Sequence, residues 1–316
     1  MKKVRVGVIG VGYLGQFHAE KYARMPDVDL VGVVDAEPAR LAQVANKLGT
    51  RAFREPAELL GKVDAVTIAV PTILHHEIAQ QFLAERIHVL LEKPMTVTLA
   101  QADDIIGLAD RNGVVLQIGH IERFNPAVIA VKERMKSPRY MTAERAAPFT
   151  VRCTDVNVVL DLMIHDLDIV ADLAGSDPQE VSAAGASVIT KEIDMATARI
   201  VFQNGCIADV TASRISDEKK RLLRVFDGEH MFVSDYQTQK ATVFQRGDKT
   251  IPELVPHDIS LDRRDTLDEE VRAFIKCIRD GVRPLVSGTE GRRALALSRM
   301  ITENIEKGMS CFASMP

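Results

Sequence analysis

VRVGVIGVGYLG, residues 4–15, is the stretch that decides the fold of this chain. Its first half, Val4–Ile9, is apolar and rich in β-branched residues, which predicts a buried strand. A segment of helical composition follows at Gln16–Arg24. The six residues between them read GVGYLG, so a GxGxxG spacing lies after a strand and before a helix, where a nucleotide-binding turn needs it.

Each glycine of this turn has its own physical task. Gly10 permits a tight turn, Gly12 lets the backbone approach a pyrophosphate, and Gly15 lets the helix pack close to the sheet. The amide groups at the start of the helix, from Tyr13 and Leu14, then face the phosphates. We therefore predict a dinucleotide site here; the alternative is a glycine turn that only packs.

A carboxylate supports the nucleotide prediction. The second strand-like run, Leu30–Val34, leads into Asp35, which lies 20 residues beyond Gly15. A carboxylate at this place accepts hydrogen bonds from the ribose hydroxyls of NAD and repels the additional phosphate of NADP. The sequence therefore predicts NAD as the cofactor, although Arg40 could partly offset the charge of Asp35.

Composition excludes several classes of protein. The chain has 316 residues, 44 acidic against 40 basic, and this balance argues against a general nucleic-acid binder. No apolar run approaches the roughly 18–20 residues that span a bilayer, and the start lacks a small-residue cleavage site. The four cysteines form no CxxC pair. We expect a cytoplasmic protein with reduced thiols, no membrane partner and no metal site.

Strand-like and helical segments alternate over the first third of the chain. Helical composition is found at segments such as Pro38–Leu48 and Ile78–Ala84. The strand-like runs are short and apolar: Val4–Ile9, Leu30–Val34, Ala65–Val70, His88–Leu91 and Val114–Ile118. This alternation predicts right-handed βαβ units and a parallel sheet that is buried on both faces.

The pattern changes after about residue 122. Asp155–Leu173 has the apolar periodicity of a helix, and strand-like runs follow it. Asn204-Gly205 and Asp227-Gly228 each separate two such runs and predict tight hairpins. Two helices with capping-box starts close the chain. We therefore predict an α/β domain over residues 1–122 and an α+β domain over residues 123–316.

The segment Glu92-Lys93-Pro94 carries the first candidate catalytic group. A lysine at the carboxyl end of a parallel strand points into the crevice where such sheets bind ligands. Pro94 restricts the backbone of Lys93 to extended conformations, which aims the ammonium group at one place. The alternative is a lysine that is merely solvated at the surface.

A second constellation lies on the predicted helix after residue 155. Asp161 and His165 are four residues apart and share a face, which Asp168 continues. Histidine exchanges a proton near neutral pH, and Asp161 could orient a hydroxyl group. Two alternatives stay open: a metal site, which lacks a further His or Cys cluster, or a carboxylate-rich helix on which His165 only packs.

The remaining histidines carry weaker signals. His75 follows the third strand-like run and lies near the expected cofactor crevice, in a packing or ribose-proximal role. His120 follows the fifth run and borders the same crevice, but nothing local assigns it a role. His18 has no partner pattern, and we expect it to be structural or exposed.

Taken in order, several segments carry a resemblance to a known family. They are GVIGVGYLGQFHAEKY, VGVVDAEPAR, VDAVTIAVPTILHHEIA, HVLLEKP, GHIERFNPA, DLMIHDLDIV and RDGVRPLVSGTEGRRAL. The chain resembles the Gfo/Idh/MocA oxidoreductases over nearly its whole length. The resemblance implies an N-terminal Rossmann domain and a C-terminal α+β domain that binds substrate. It also implies that the open, mainly antiparallel sheet of the second domain forms a homodimer or homotetramer interface.

The resemblance assigns two catalytic groups. The family's EKP lysine falls on Lys93, near the nicotinamide and the reacting hydroxyl, with Glu92 beside it. The aspartate and histidine of the DxGxHxxD pattern fall on Asp161 and His165. The glycine expected between them is Met163 in this chain, a departure that could reshape the wall of the pocket.

The resemblance also assigns groups around the cofactor and the substrate. The arginine of GxxxRFxP falls on Arg123, which is thereby implied to bind substrate. The apolar loop after the third strand borders the nicotinamide ribose in the family. Its counterpart here is Ala69, Val70, Pro71 and Thr72, with His75 close behind.

Within the family, two segments resemble members that act on nucleotide sugars. They are ERAAPFTVRCTDVNVVLDLMIHDLDIV and DVTASRISDEKKRLLR. The resemblance implies that the oxidised group is a secondary hydroxyl of a sugar, the 3-hydroxyl of a UDP-N-acetyl sugar. A pyrophosphate needs cations, for which Arg145, Arg152, Arg214 and Arg221 are candidates. The alternative for each is an arginine solvated at a sheet edge.

We expect His165 to remove the hydroxyl proton and Lys93 to stabilise the developing alkoxide, while Asp161 holds the substrate hydroxyl or the His165 ring. His165 and Lys93 could exchange roles, because a desolvated lysine can act as a base. Two other functions stay open: a dehydrogenase of a free polyol such as inositol, and a non-catalytic NAD(H)-binding sensor or scaffold.

Overall fold

The computed structural model describes residues 2–150, 156–247 and 253–313. The chain divides into two compact units, each with its own sheet and hydrophobic core. Met1–Ile121 and Asp265–Arg292 form the first, and Glu122–Arg264 and Arg293–Pro316 form the second. Among the described residues, no helix combines the length and apolar character that a membrane crossing requires.

The sheet of the first unit has six strands, all parallel. They are β1 (Val4–Ile9), β2 (Val28–Val34), β3 (Arg51–Phe53), β4 (Ala65–Ile68), β5 (His88–Glu92) and β6 (Leu116–Gly119). Their order across the sheet is β3-β2-β1-β4-β5-β6. The predicted α/β Rossmann fold is therefore confirmed, and the strand order reverses between β1 and β4, the place where such sheets bind nucleotides.

Five helices belong to the first unit. They are α1 (Tyr13–Arg24), α2 (Pro38–Leu48), α3 (His75–Ala84), α4 (Leu99–Asn112) and α7 (Thr266–Asp280). The side chain of Glu37 caps the start of α2, and Gly49 ends it in a left-handed conformation. The strand β3 escaped the sequence analysis because it is three residues long and largely exposed, so it has no apolar run.

Helix α7 corrects one predicted domain assignment. The sequence analysis placed everything from residue 123 onward in the second domain, but Asp265–Arg292 belongs to the first unit. The reason is the apolar face of α7, whose Val271, Phe274 and Ile275 are buried in the core of the first unit with residues of β1 and α1. Local periodicity predicts such a face but not which core it enters.

The second unit is built on an eight-stranded sheet. Its strands are β7 (Tyr140–Ala146), β8 (Pro178–Ala186), β9 (Met195–Phe202), β10 (Ile207–Ser213), β11 (Lys220–Phe226), β12 (His230–Asp235), β13 (Lys240–Arg246) and β14 (Leu254–Ile259). The order is β14-β13-β12-β11-β7-β10-β9-β8. Only β7 and β10 pair in parallel within this described sheet, so the predicted open, mainly antiparallel architecture is confirmed.

Both predicted hairpins are present. Gly205 joins β9 to β10 with φ +82°, and Gly228 joins β11 to β12 with φ +94°. These backbone angles belong to the region that glycine adopts without strain.

The helices of the second unit pack on its sheet. They are α5 (Pro126–Arg134), α6 (Ile164–Ala174) and the part of α8 (Gly288–Ala313) that follows Arg292. Leu167 and Val170 of α6 and Leu297 and Ile301 of α8 are buried in the core of this unit. A π-helical turn, Val159–Met163, leads directly into α6.

Candidate active site

The glycine turn between β1 and α1 leaves no room for side chains at two of its three glycines. Gly10 has φ +83°, and a Cβ added to it would lie 2.5 Å from the carbonyl oxygen of Ala69. A Cβ on Gly15 would lie 1.7 Å from the carbonyl oxygen of Gly10. A Cβ on Gly12 would meet nothing within 4 Å. Two glycines therefore serve packing, and Gly12 leaves its backbone open to a ligand.

Helix α1 begins directly behind this opening. Its N-cap is Gly12, which has no side chain to bond the first-turn amides. The first turn carries no acidic residue, so the positive end of the helix dipole is not neutralised from within the turn. Tyr13 and Leu14 are both more than one-third exposed. A phosphate group fits this end of the helix.

Asp35 lies just beyond β2, beside the same turn. One carboxylate oxygen accepts a hydrogen bond from the Val11 amide at 2.8 Å, and the other accepts one from the Glu37 amide at 2.9 Å. The Arg40 guanidinium donates to both oxygens, at 2.6 and 3.1 Å. Burial alone would raise the pKa of Asp35, but these hydrogen bonds hold it below its usual value. Asp35 is therefore an ionised acceptor whose charge Arg40 partly offsets.

The loop after β4 lies against the glycine turn. The Ala69 amide donates to the carbonyl of Ile9 at 2.8 Å, which continues the ladder between β4 and β1. Val70, Pro71 and Thr72 follow, and all three are at least partly exposed.

His75 ties this loop to the segment after β5. Its Nε2 lies 2.9 Å from the carbonyl oxygen of Val70, and its Nδ1 lies 2.9 Å from that of Pro94. Burial lowers the pKa of His75, so the neutral ring donates to one of these carbonyl oxygens and packs against the other. The side chain holds two loops together, which fits the packing role among those considered for it.

Lys93 follows β5 at the same edge of the sheet. Its side chain is half-buried, and its backbone amide donates to the Glu92 carboxylate at 3.2 Å. Glu92 itself is buried and lies 2.9 Å from Nε2 of His18. Because carboxyl ends of parallel strands share one edge, the fold brings the glycine turn, Asp35, the loop after β4 and Lys93 to one side of the first unit.

Asp161 and His165 belong to the second unit. Asp161 lies in the π-helical turn and His165 in the first turn of α6, and both side chains are half-buried. The sequence analysis expected one regular helix here. A π turn nevertheless brings a residue four positions along back to nearly the same face, and such turns often mark functional sites. Met163, where the family has glycine, is fully buried in the core of this unit.

Asp168 does not join the other two residues, contrary to the predicted shared face. It is 1% exposed and pairs with Arg123, whose Nη1 lies 3.2 Å from its Oδ1. Arg123 also reaches Asp172 through Nη2 at 2.8 Å. This pairing occupies the Asp168 carboxylate, which argues against its use as a ligand beside Asp161 and His165.

Arg145 is likewise buried in ion pairs rather than presented to a ligand. Its Nε lies 2.7 Å from Asp166, and its two Nη atoms lie 3.2 Å from Glu122. Burial raises the pKa of Asp166 even though Arg145 opposes that shift. Arg145 and Arg123 are both engaged by buried carboxylates, which argues against their predicted substrate-binding role.

Two further candidate arginines have different surroundings. Arg214 is buried and donates to the backbone carbonyl of Val156. The side chain of Arg221 is 50% exposed and lies 3.5 Å from Glu122. Arg152, the remaining candidate, lies outside the described residues.

Comparison with known proteins identifies the family. The model of an oxidoreductase family with an NAD-binding Rossmann fold matches residues 4–120, and that of the GFO/IDH/MocA C-terminal domain matches residues 131–234. A UDP-N-acetylglucosamine 3-dehydrogenase from Acidithiobacillus ferrooxidans is 39% identical over 97% of this chain and 98% of that protein. The chain belongs to the Gfo/Idh/MocA oxidoreductase family.

Other relatives of this Gfo/Idh/MocA oxidoreductase agree with that assignment. The solved structure of the Acidithiobacillus ferrooxidans enzyme matches with a TM-score of 0.92 at 38% identity, over 97% of this chain and 99% of that one. A myo-inositol 2-dehydrogenase from Thermotoga maritima is 30% identical over 97% of this chain and 98% of that protein. The resemblance, the fold and the oxidoreductase class predicted from the sequence are confirmed.

NAD is the cofactor of this oxidoreductase, and the residues of the first unit fit it. When NAD is bound, the open backbone of Gly12 and the start of α1 would hold its pyrophosphate, and the ionised Asp35 would accept hydrogen bonds from ribose hydroxyls.

Two side chains near Lys93 escaped the sequence analysis. His18 was expected to be structural or exposed, yet it is fully buried and bonded to Glu92. Glu270 of α7 is fully buried close to both. No local signal could reveal this cluster, because its members come from three distant segments. Only the buried position of His18 on the inner face of α1 could have hinted at it.

Asp35→Asn should weaken binding of NADH by about 10- to 100-fold, because a neutral amide accepts weaker hydrogen bonds from the ribose hydroxyls. It should also narrow the preference for NADH over NADPH. Titration calorimetry with both coenzymes measures this. Asp64→Asn is the control, since Asp64 also binds an arginine but precedes β4 at the opposite edge of the sheet. Unchanged NADH affinity in Asp35→Asn would contradict the assignment.

Arg145→Met should lower the free energy of unfolding by about 3–5 kcal/mol, because it removes the ion-pair partner of buried Asp166 and leaves buried Glu122 with only its long contact to Arg221. Urea denaturation measures the loss. Arg221→Met, which removes a half-exposed partner of the same Glu122, should cost at most about 1 kcal/mol. If Arg145→Met kept wild-type stability and lost only affinity for a nucleotide sugar, the original substrate-binding prediction would be restored.

Proposed function

We propose that this chain oxidises the 3-hydroxyl group of a UDP-N-acetyl sugar, with NAD as the electron acceptor. The observation that carries the proposal is its 39% identity, over almost the full length of both chains, to a UDP-N-acetylglucosamine 3-dehydrogenase. The similarity to a myo-inositol 2-dehydrogenase, at 30% identity, keeps a free polyol as the second candidate substrate.

In the proposed reaction the alcohol gives a hydride to one acceptor and a proton to another. When bound, NAD accepts the hydride from the carbon that carries the hydroxyl group. His165 accepts the proton from the hydroxyl oxygen, the Lys93 ammonium group donates a hydrogen bond to that oxygen as negative charge develops, and Asp161 holds the hydroxyl or the imidazole. Half-burial of all three side chains suits this work, because such groups reach a ligand and are still shielded from bulk water.

A nucleotide sugar also brings a pyrophosphate, which needs a cation. Arg123 and Arg145 are already paired with buried carboxylates. Arg221 is the better candidate among the described arginines considered, because half of its side chain is exposed and its contact with Glu122 is long. Arg152 remains a candidate from outside the described residues.

The substrate test incubates the protein with NAD and either UDP-N-acetylglucosamine or myo-inositol while NADH absorbance is followed. An aminotransferase is added to remove the keto-sugar, because the equilibrium of alcohol oxidation can be unfavourable. We expect kcat/KM for the nucleotide sugar to exceed that for inositol by about 100-fold or more. Arg221→Met should raise KM for the nucleotide sugar about tenfold and leave KM for any slow polyol reaction unchanged.

The matched control for that variant is Arg246→Met, an exposed arginine at the end of β13, which should leave both KM values unchanged. A preference for inositol would replace the proposed substrate with the second candidate. NAD binding without turnover of any sugar would instead support a sensor or scaffold.

Lys93→Met and His165→Asn should each lower kcat by about 10²- to 10⁴-fold, the usual contribution of a positioned acid–base group. Binding of NADH should persist in His165→Asn, since that residue lies in the second unit. Lys47→Met and His257→Asn are matched controls at exposed sites. The variant that abolishes the pH dependence of kcat identifies the base. If kcat falls by less than tenfold in both Lys93→Met and His165→Asn, the catalytic assignment is wrong.

We also propose that the protein works in the cytoplasm as a homodimer or homotetramer. Along β9 buried residues alternate with exposed ones, so one face of the sheet meets the core and the other is available to a second copy. Sedimentation equilibrium tests the oligomeric state. The mass of a single chain at micromolar concentration would contradict the proposed homodimer or homotetramer.

A further inference from the structure

Three titratable side chains meet inside the first unit, behind Lys93. His18 comes from α1, Glu92 from the end of β5 and Glu270 from α7. His18 and Glu270 are 0% exposed and Glu92 is 9% exposed. Their ligand-type atoms all lie within 4.8 Å of one another. We call these three residues the buried cluster.

Glu270 is the unusual member of the buried cluster. Neither of its carboxylate oxygens has a hydrogen-bond partner among the described residues. An ionised carboxylate that is buried without donors carries a large desolvation cost, so the group keeps its proton instead. Burial raises the pKa of Glu270 well above its usual value, and the negative charge of Glu92 raises it further. Glu270 therefore keeps its proton to a higher pH than an exposed glutamate does.

Glu92 behaves in the opposite way. Burial would raise its pKa, but the hydrogen bond from His18 and the nearby positive charges of His18 and Lys93 hold the pKa below its usual value. It also accepts the Lys93 amide at 3.2 Å. A Cβ on Gly119 would come within 3.0 Å of the Glu92 carboxyl carbon, so the bare backbone of β6 makes room for this group. The buried cluster thus has one anionic carboxylate and one neutral one.

Other polar groups face the buried cluster from the elements packed against it. Tyr22 of α1 lies near Glu270, and its hydroxyl bonds to Thr67 of β4 at 2.8 Å. His75 of α3 feels the charge of Glu92. On β6, the amide nitrogen of Gln117 bonds to the backbone carbonyl of Glu270. Lys93 is the positive charge that faces the cluster from β5.

We propose that His18 and Glu270 are positioning residues of the active site: His18 holds Glu92 through a hydrogen bond, and Glu270 keeps its proton, so that a single negative charge supports the Lys93 backbone. His18 fixes one oxygen of Glu92, and the other oxygen accepts the Lys93 amide. Glu270 fills the remaining side as an acid, because a second anion there would repel Glu92. This inference rests on the catalytic role proposed for Lys93.

The protonation of Glu270 can be measured without any turnover. The infrared difference spectrum between wild type and Glu270→Gln at neutral pH should contain the absorption of a protonated carboxyl group. Glu85→Gln, at an exposed position in the same unit, should remove only ionised carboxylate absorption. If Glu270→Gln also removes only ionised carboxylate absorption, Glu270 is charged and the proposal fails.

Stability against pH gives a second readout that is independent of activity. Above about pH 4.3 the unfolded chain ionises Glu270 while the folded chain keeps the proton. Wild type should therefore lose stability relative to Glu270→Gln as pH rises toward the folded pKa of Glu270. The unfolding equilibrium constant of wild type divided by that of Glu270→Gln should rise about tenfold per pH unit from about pH 5 up to the folded pKa of Glu270. A ratio that stays flat overturns the proposal.

Kinetics test whether His18 acts through Glu92. His18→Asn and Glu92→Gln should each lower kcat by about 10- to 100-fold, as loss of a supporting hydrogen bond does. The double variant should be no slower than Glu92→Gln alone, because the two residues share one path to Lys93. Independent, multiplicative losses overturn the positioning role. These experiments also separate the role proposed for Lys93 from the protonation proposed for Glu270. If Lys93 is not catalytic, the infrared and stability results are unaffected.

A bound cation is the competing occupant of the buried cluster. Wild type and Glu270→Gln are dialysed against Zn²⁺, then against buffer, and their metal content is measured. We expect no stoichiometric zinc in either protein. One zinc ion per wild-type chain that is absent from Glu270→Gln would overturn the proposal, because the cluster would then hold a metal rather than protons.

Discussion

The carbonyl oxygen of Gly10 occupies the place that a side chain on Gly15 would need, 1.7 Å from that missing Cβ. This steric constraint lets α1 lie close against β1 and directs its first turn toward the open backbone of Gly12. The same turn places the Val11 amide 2.8 Å from Asp35. The phosphate end and the ribose end of the NAD site are therefore built by one stretch of backbone, which also brings His18 beneath Glu92.

In each unit the buried charged side chains are compensated by groups of the same unit. In the second unit Arg123 and Arg145 are compensated by buried carboxylates of the same unit. In the first unit Glu92 is compensated by His18 and Lys93, while Glu270 avoids a charge by keeping its proton. Buried ion pairs are costly to break, so the arginine–carboxylate pairs of the second unit resist rearrangement. The first unit instead keeps a titratable proton close to Lys93.

Much of the fold follows from sequence periodicity and turn chemistry, because strands such as β1 are mostly apolar and Gly205 and Gly228 need positive φ angles. The short strand β3 and the membership of α7 in the first unit do not follow, since both depend on tertiary packing. Spacing predicts a glycine turn after β1, a carboxylate after β2 and a lysine after β5, and the structure has Gly10–Gly15, Asp35 and Lys93 at those places. The burial of Arg145 and the buried cluster are not, because partners such as Glu122, Asp166 and Glu270 come from distant segments.

The most direct test of the account follows one hydrogen atom. UDP-N-acetylglucosamine that carries deuterium on carbon 3 is incubated with the protein and NAD, and the reduced coenzyme is analysed by mass spectrometry. The account predicts one deuterium per NADH formed from the labelled sugar and none in NADH formed from unlabelled sugar. Reduced coenzyme without deuterium, or no reduced coenzyme while inositol carrying deuterium on its reacting carbon does label it, would contradict the proposed reaction.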